Sequence, residues 1–386
     1  MLSIFSSPFQ LAFYNTTPNA YTLALRMGLT RAESLFRWVW EANRGNPVGE
    51  NATFSFQSDG NLVLAHADGR VAWETGTANK GVVAFELLPT GNMVLLDSAG
   101  KYVWQSFDSP TDTLLVGQSL RVGAATKLIS RASDQQNVNG PYSFEMEPKR
   151  LAMYYKTNNT PKPYLYFASV NWISFTQGSL QNVTLVTSPD TDEGFAYNIM
   201  LDFHVVNSTV TTGGNIILTR PKYNATLSFL RIGMDGNLRV YTYYDNVDWR
   251  AFEVTYTLFA REESGECQLP ERCGKFGICE DSQCVACPLK TGLMGWSKNC
   301  EPEKLLSCKK NSFHYYKVTG VDHFLAKYTR GDGAKESDCG NKCTGDCKCL
   351  GYFYNQDTSR CWIAYDLKTL TRVANSTHVA YIKVSN

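Results

Sequence analysis

Cysteine is missing from residues 1–266, and all 12 cysteines of this 386-residue chain fall between Cys267 and Cys361. The leading two thirds must hold together by hydrophobic burial, whereas the tail is built of small units that depend on covalent staples. No run of eighteen apolar residues occurs, so no helical membrane span is expected. Charge of one sign is lacking too: 37 basic and 36 acidic residues leave a formal net charge of +1 with no block of like charges. That balance offers nothing to attract nucleic acid or an acidic membrane, so binding must come from local shape and hydrogen bonds. Helix-period stretches are scarce. No G-x-S-x-G, Walker loop or G-x-G-x-x-G is present, which removes the commonest hydrolase and nucleotide-binding readings.

What the chain does have is a repeated hairpin. In FQSDGNLVLAHADGRVAW, residues 56–73, strand alternation sends Gln57, Asp59, Asn61, Val63 and Ala65 to one face and Phe56, Leu62 and Leu64 to the other. One face is polar and the other is core. Asp68-Gly69 supplies the positive backbone angles of a tight turn, and residues 70–73 return as the partner strand. The pattern recurs at residues 88–104 and 233–249. Each copy has a Gly-Asn-(Leu or Met) step with a Trp eleven residues after the apolar one: Leu62 to Trp73, Met93 to Trp104, Leu238 to Trp249. Like units ending in an indole are expected to meet on a shared apolar axis, because one hairpin cannot bury its own face.

Further alternating stretches lie at residues 9–13, 21–27 and 34–42, the last carrying Trp38 and Trp40. They recur at 142–146, 151–155, 164–167, 194–203, 215–219, 227–232 and 237–243, punctuated by glycine, proline and asparagine. The expected class is all-β.

These residues carry a resemblance. Gln57-x-Asp59-x-Asn61-x-Val63 resembles Q-x-D-x-N-x-V-x-Y, the mannose-binding signature of monocot bulb lectins, which fold as a three-sided β-prism. Residues 104–114, WQSFDSPTDTL, resemble a block shared by S-locus glycoproteins and by epidermis-specific secreted glycoproteins of plants. The resemblance runs from about Phe9 to the C-terminus. It implies two β-prism (bulb-type lectin) domains, at 1–120 and 121–262, followed by an EGF-like module at 263–303 and a PAN/apple domain at 304–386. It also implies disulfides joining Cys267 to Cys279, Cys273 to Cys284, Cys287 to Cys300, Cys308 to Cys347, Cys339 to Cys361 and Cys343 to Cys349. Spacing alone does not fix that connectivity.

An even cysteine count and seven sequons, at Asn15, Asn51, Asn158, Asn182, Asn207, Asn224 and Asn375, point to an oxidising, glycosylating compartment. The expectation is a secreted protein of the plant cell wall. The opening MLSIFSSPFQLAFY alternates instead of forming a charged head and an apolar block, so it does not read as a signal peptide. The resemblance implies a signal ahead of this point, and hence a mature or N-terminally incomplete sequence.

The resemblance assigns a sugar-binding role to four residues. Asp59 and Asn61 would hold the axial 2-hydroxyl of mannose, Gln57 the 3-hydroxyl, and Val63 would pack on the ring carbons. The terminal tyrosine is Ala65 here, a loss of one neutral hydrogen bond worth about 1 kcal/mol, or roughly five- to tenfold in affinity. The second copy has Leu88, Thr90, Asn92, Val94 and Leu96 at the five positions and reads as dead. The third keeps Asp235, Asn237 and Tyr241 but has Gly233 and Arg239 in place of Gln and Val.

Other constellations yield little. Cys284-x-x-Cys287 and Cys347-x-Cys349 lack the second pair or partner histidines of a structural zinc site, and His66, His204, His314, His323 and His378 never fall in ligand spacing. Asp190, Asp192 and Glu193 lack the glycine and distant glutamate of a calcium loop. No metal, cofactor or catalytic residue is expected. Two readings stay open: a secreted glycoprotein that binds mannose-type glycans or wall polysaccharide weakly if at all, or a structural glycoprotein that self-associates or binds a partner protein, its sugar site vestigial.

Overall fold

The computed structural model describes residues 4–28, 37–169, 178–189, 197–207, 210–221, 227–245, 252–260, 265–305, 307–309 and 311–386. The chain divides into two compact units. Met1–Leu151, Ser169–Met234 and Leu238–Thr257 make the first; Ala152–Ala168, Asp235–Asn237 and Leu258–Asn386 make the second. Both are built mainly of strands, and the second holds all the disulfides.

In the first unit, strands β1 (Phe5–Ser6), β2 (Phe9–Asn15), β3 (Tyr21–Met27) and β4 (Trp38–Glu41) pair in order. A second sheet holds β5 (Thr53–Phe56), β6 (Leu62–Ala65) and β7 (Val71–Glu74); a third holds β8 (Val82–Leu87), β9 (Met93–Asp97) and β10 (Tyr102–Gln105). Leu11, Leu23, Leu25, Leu64 and Met93 from these sheets share one buried cluster, and three indoles close it. Trp40, Trp73 and Trp104 meet edge to face, with ring centroids 5.8, 6.3 and 5.9 Å apart. Such contacts add about 0.5–1.5 kcal/mol each beyond area burial.

That trio corrects the expectation of three like hairpins on one axis. Two copies supply Trp73 and Trp104, but the third indole is Trp40, with no Gly-Asn-(Leu or Met) step ahead of it; Trp249 lies outside the described residues. The axis selects a large flat side chain, not the motif around it. Strand alternation also misled at Phe56, which is exposed, and at Asn61 and Val63, which are buried along with Leu62 and Leu64.

The glycine of the Gly-Asn step has a steric cause. Gly60 and Gly91 sit at φ +86° and +82°, where side chains are disfavoured. A Cβ on Gly60 would lie 2.8 Å from that of Val82, and one on Gly91 2.7 Å from the Phe9 ring.

The chain continues through β11 (Thr113–Leu115), β12 (Ser119–Arg121), β13 (Lys127–Arg131), β14 (Asn139–Glu147), β15 (Arg150–Tyr155), β16 (Tyr164–Ala168), β17 (Ser179–Pro189), β18 (Tyr197–Asn207), β19 (Val210–Thr219), β20 (Ser228–Ile232), β21 (Leu238–Tyr243) and β22 (Phe252–Thr257). Two four-stranded sheets run β11-β20-β21-β22 and β12-β17-β18-β19, and β13 pairs antiparallel with β14.

A buried ionic cluster ties β4 to this later part of the first unit. Glu41 accepts from Tyr14, Arg44 and Arg131, while Asp112 accepts from Arg44 Nη2 at 3.0 Å and from the Thr113 hydroxyl at 2.8 Å. Arg231 Nε lies 3.6 Å from Asp112, and its Nη2 donates to the Trp38 carbonyl at 2.6 Å. All five charged side chains are buried. Burial pushes the Asp112 carboxyl up, but Arg231 and Arg44 outweigh it and hold the group below the usual carboxylate range.

In the second unit, β15 pairs antiparallel with β16. One five-stranded sheet has the order Gly292–Gly295, Gln283–Leu289, Phe276–Glu280, Lys368–Arg372, Val321–His323; the other runs Phe313–Thr319, His378–Ser385, Gly351–Asn355, Arg360–Ala364, Asp332–Gly333. The bonds are Cys267–Cys279, Cys273–Cys284, Cys287–Cys300, Cys308–Cys347, Cys339–Cys361 and Cys343–Cys349.

Helix α1 (Glu336–Thr344) was not foreseen, because its buried stripe consists of Cys339 and Cys343, one turn apart. Lys383, almost wholly buried, donates its ammonium to the carbonyls of Cys343 and Asp346 at 2.8 and 3.1 Å, satisfying acceptors at the end of that helix.

Candidate carbohydrate-binding site

The four motif residues lie along the β5–β6 turn and β6. Gln57 is exposed, Asp59 is half-buried, and Asn61 and Val63 are 4% and 6% exposed. Asp59 Oδ1 accepts from the Asn61 main-chain N–H at 3.0 Å, the local bond that shapes the turn. Ala65 stands where the motif has its tyrosine and is half-buried.

Asn61 is committed within the protein. Its Oδ1 accepts from the Thr75 hydroxyl at 2.9 Å and from the Thr77 main-chain N–H at 3.0 Å. Its Nδ2 donates to a carboxylate oxygen of Glu74 at 2.8 Å. Glu74 is the cross-strand partner of Val63, so its side chain shares the face that the motif gives to sugar. One of the two N–H donors of the Asn61 amide is therefore bound to a charged acceptor, a stronger bond than a neutral one.

The second copy repeats this arrangement. Asn92 Nδ2 donates to Gln105 Oε1 at 2.9 Å, and its Oδ1 accepts from the Ser106 hydroxyl and the Phe107 N–H at 3.3 and 3.2 Å. In the third, Asn237 is fully buried and bonds both main-chain groups of Phe259. The asparagine is therefore a staple that fastens the segment after the return strand, and its Oδ1 performs that job wherever the hairpin recurs. Nδ2 is the arm whose partner varies.

Sequence reading missed Glu74, Thr75 and Thr77. The signal was available: thirteen residues after Asn61 and Asn92, just past each Trp, stand Glu74 and Gln105, both acceptors.

Among the sequons, Asn15, Asn51, Asn158, Asn207 and Asn375 are exposed, whereas Asn182 is half-buried with Oδ1 2.9 Å from His204 Nδ1. Asn224 lies outside the described residues, as do Asp190, Asp192 and Glu193. Among the described residues no group of three or more His, Cys, Asp or Glu is placed to hold a metal, and no helix is long and apolar enough to cross a membrane.

Residues 37–133 match the D-mannose binding lectin family. EP1-like glycoprotein 3 of Arabidopsis thaliana is 53% identical over 99% of this chain and 86% of its own length. The chain belongs to the EP1-like glycoproteins. The epidermis-specific secreted glycoprotein EP1 of Daucus carota is 58% identical over 83% of the chain and 85% of its own length. An S-locus-specific glycoprotein of Brassica oleracea var. alboglabra is 26% identical over 85% of the chain and 78% of its own length. The EP1-like chain thus carries a bulb-lectin domain in which the asparagine of the sugar signature is held by the protein itself.

Proposed function

We propose that this EP1-like chain is a non-catalytic glycoprotein of the plant cell wall that associates with itself or with a partner protein, and that its first-prism mannose face is closed. The division into prisms at 1–120 and 121–262, an EGF-like module at 263–303 and a PAN/apple domain at 304–386 belongs to the same reading. One observation supports the closed face: both polar arms of Asn61 are engaged, by Glu74 on one side and by Thr75 and Thr77 on the other. The alternative, weak binding of mannose-type glycan or wall polysaccharide, draws on Gln57 and Asp59, which still reach solvent.

Passage over immobilised mannan separates the two. The native protein is expected to elute with the void volume at any concentration of free methyl α-mannoside. Retention that the free mannoside reverses would establish the alternative instead.

A further inference from the structure

We infer that Glu74 is the residue that shuts the sugar signature, and that a latent mannose-type site opens when its carboxylate is removed. This rests on the closed face proposed above and names its cause.

The two arms of Asn61 are separable. Oδ1 fastens Thr75 and Thr77, as Asn92 Oδ1 fastens Ser106 and Phe107, so that arm belongs to the hairpin and not to a ligand. Among the described residues Nδ2 bonds only the side chain thirteen residues on, an acceptor in both copies: Oε2 of Glu74 or Oε1 of Gln105. The amide nitrogen has two N–H donors and Glu74 takes one; its carboxylate, 2.8 Å from Nδ2 on the face that the motif gives to sugar, occupies the space from which a hydroxyl would approach the other. Glu74 is itself exposed at the end of β7, so shortening it leaves the core intact. Asp59 keeps one carboxylate oxygen beyond the one that accepts from the Asn61 N–H, and Gln57 is exposed. With Glu74 absent, Gln57, Asp59 and the Asn61 amide offer one acceptor-and-donor edge suited to adjacent hydroxyls on a pyranose ring.

Ala65 is a second, smaller deficit, and the two deficits are ordered. Restoring the tyrosine cannot help while the Glu74 carboxylate stands on that face. Ala65→Tyr alone is therefore expected to leave the protein unretained on mannan, whereas adding it to a Glu74→Ala background should strengthen binding about five- to tenfold.

The test uses the full chain on immobilised mannan, with methyl α-mannoside as competitor and tryptophan fluorescence as the check of folding. Glu74→Ala is expected to be retained and to be released by the mannoside, with an affinity at least about tenfold above the native protein. Glu74→Val, β-branched and suited to a strand, carries the same expectation and serves if the alanine variant folds poorly. Glu74→Gln should pass through unretained, because it reproduces the Asn92–Gln105 bond. Folded Glu74→Ala and Glu74→Val that both pass through would overturn the inference while leaving the closed-face reading intact. Retention of the native protein would instead overturn that reading. Retention of Glu74→Ala that survives a further Asn61→Ala change would also refute the inference, since the opened amide would not be what binds.

Discussion

Replacing Asp112 with alanine is expected to destabilise the first unit by about 3–5 kcal/mol, a shift readable as a lower urea midpoint in tryptophan fluorescence. The magnitude follows from what is left behind. Arg44, Arg131 and Arg231 are all buried, and among the described residues they pair with the carboxylates of Glu41 and Asp112. Removing Asp112 takes a buried carboxylate from Arg44 and Arg231 and leaves their charges poorly compensated. Arg44 would keep its bonds to Glu41 and to the Ile129 carbonyl at 2.9 Å, so the loss should centre on its Nη2 and on Arg231. Asp112→Asn should cost less, because an amide oxygen can still accept from Thr113 and one guanidinium. A midpoint unchanged in the alanine variant would show that the cluster contributes nothing net.

Acidification should weaken the second unit through His323. The imidazole is 1% exposed, its Nε2 bonding the Asp366 carbonyl at 2.9 Å and its Nδ1 accepting the Leu325 N–H at 3.3 Å. A carbonyl only accepts and an amide only donates, so the proton sits on Nε2 and the ring is neutral. Phe324, Phe353 and Tyr164 line it with aromatic faces or edges, and the nearby Asp366 carboxylate takes its hydrogen bond from Asn159. Burial pushes the group down to about 4 from its ordinary 6.5, against the raising influence of the main-chain bonds. The sign follows: below pH 6.5 the unfolded chain takes up a proton that the folded ring refuses. The stability is fully present above that pH and drains away as the pH falls toward about 4, by about 3 kcal/mol in all. Melting curves of native protein and His323→Gln across this range should converge with falling pH, since carboxylate titrations common to both cancel. A constant gap between the two curves would remove His323 as the cause.

How much of this was legible in sequence depends on how local the cause is. The turn of the first hairpin at Asp68-Gly69 and the strand at Tyr21–Met27 are written in neighbouring residues, and the all-β class follows from them. Trp40 was not legible as the third indole, because what brings it to Trp73 and Trp104 is the closure of three sheets and not a shared motif. Glu41, Arg44, Asp112, Arg131 and Arg231 are spread over most of the first unit's length and make no pattern until the strands are placed. Helix α1 hid behind cysteines that sequence reading treats as bridge-formers before it treats them as an apolar stripe.

The site shows the same divide. Reading alternate residues along β6 placed Asn61 on a solvent face, because a single strand says nothing of what its neighbour presents there. The register Val63 to Glu74 supplies that missing information. On the closed-face reading proposed above, a short signature stands letter by letter while the residue opposite it cancels the chemistry. In this EP1-like chain the asparagine fastens the hairpin through Thr75 and Thr77, a role that its agreement with the sugar motif does not disclose.

The side-chain amide signal of Asn61, followed by nuclear magnetic resonance while methyl α-mannoside is titrated into isotope-labelled native protein, tests the central claim most directly. A resonance that exchanges slowly with solvent and holds its position throughout is the predicted result. A saturable displacement of that resonance, accompanied by the amide of Gln57, would mean that the mannoside reaches the asparagine after all and that the face is open.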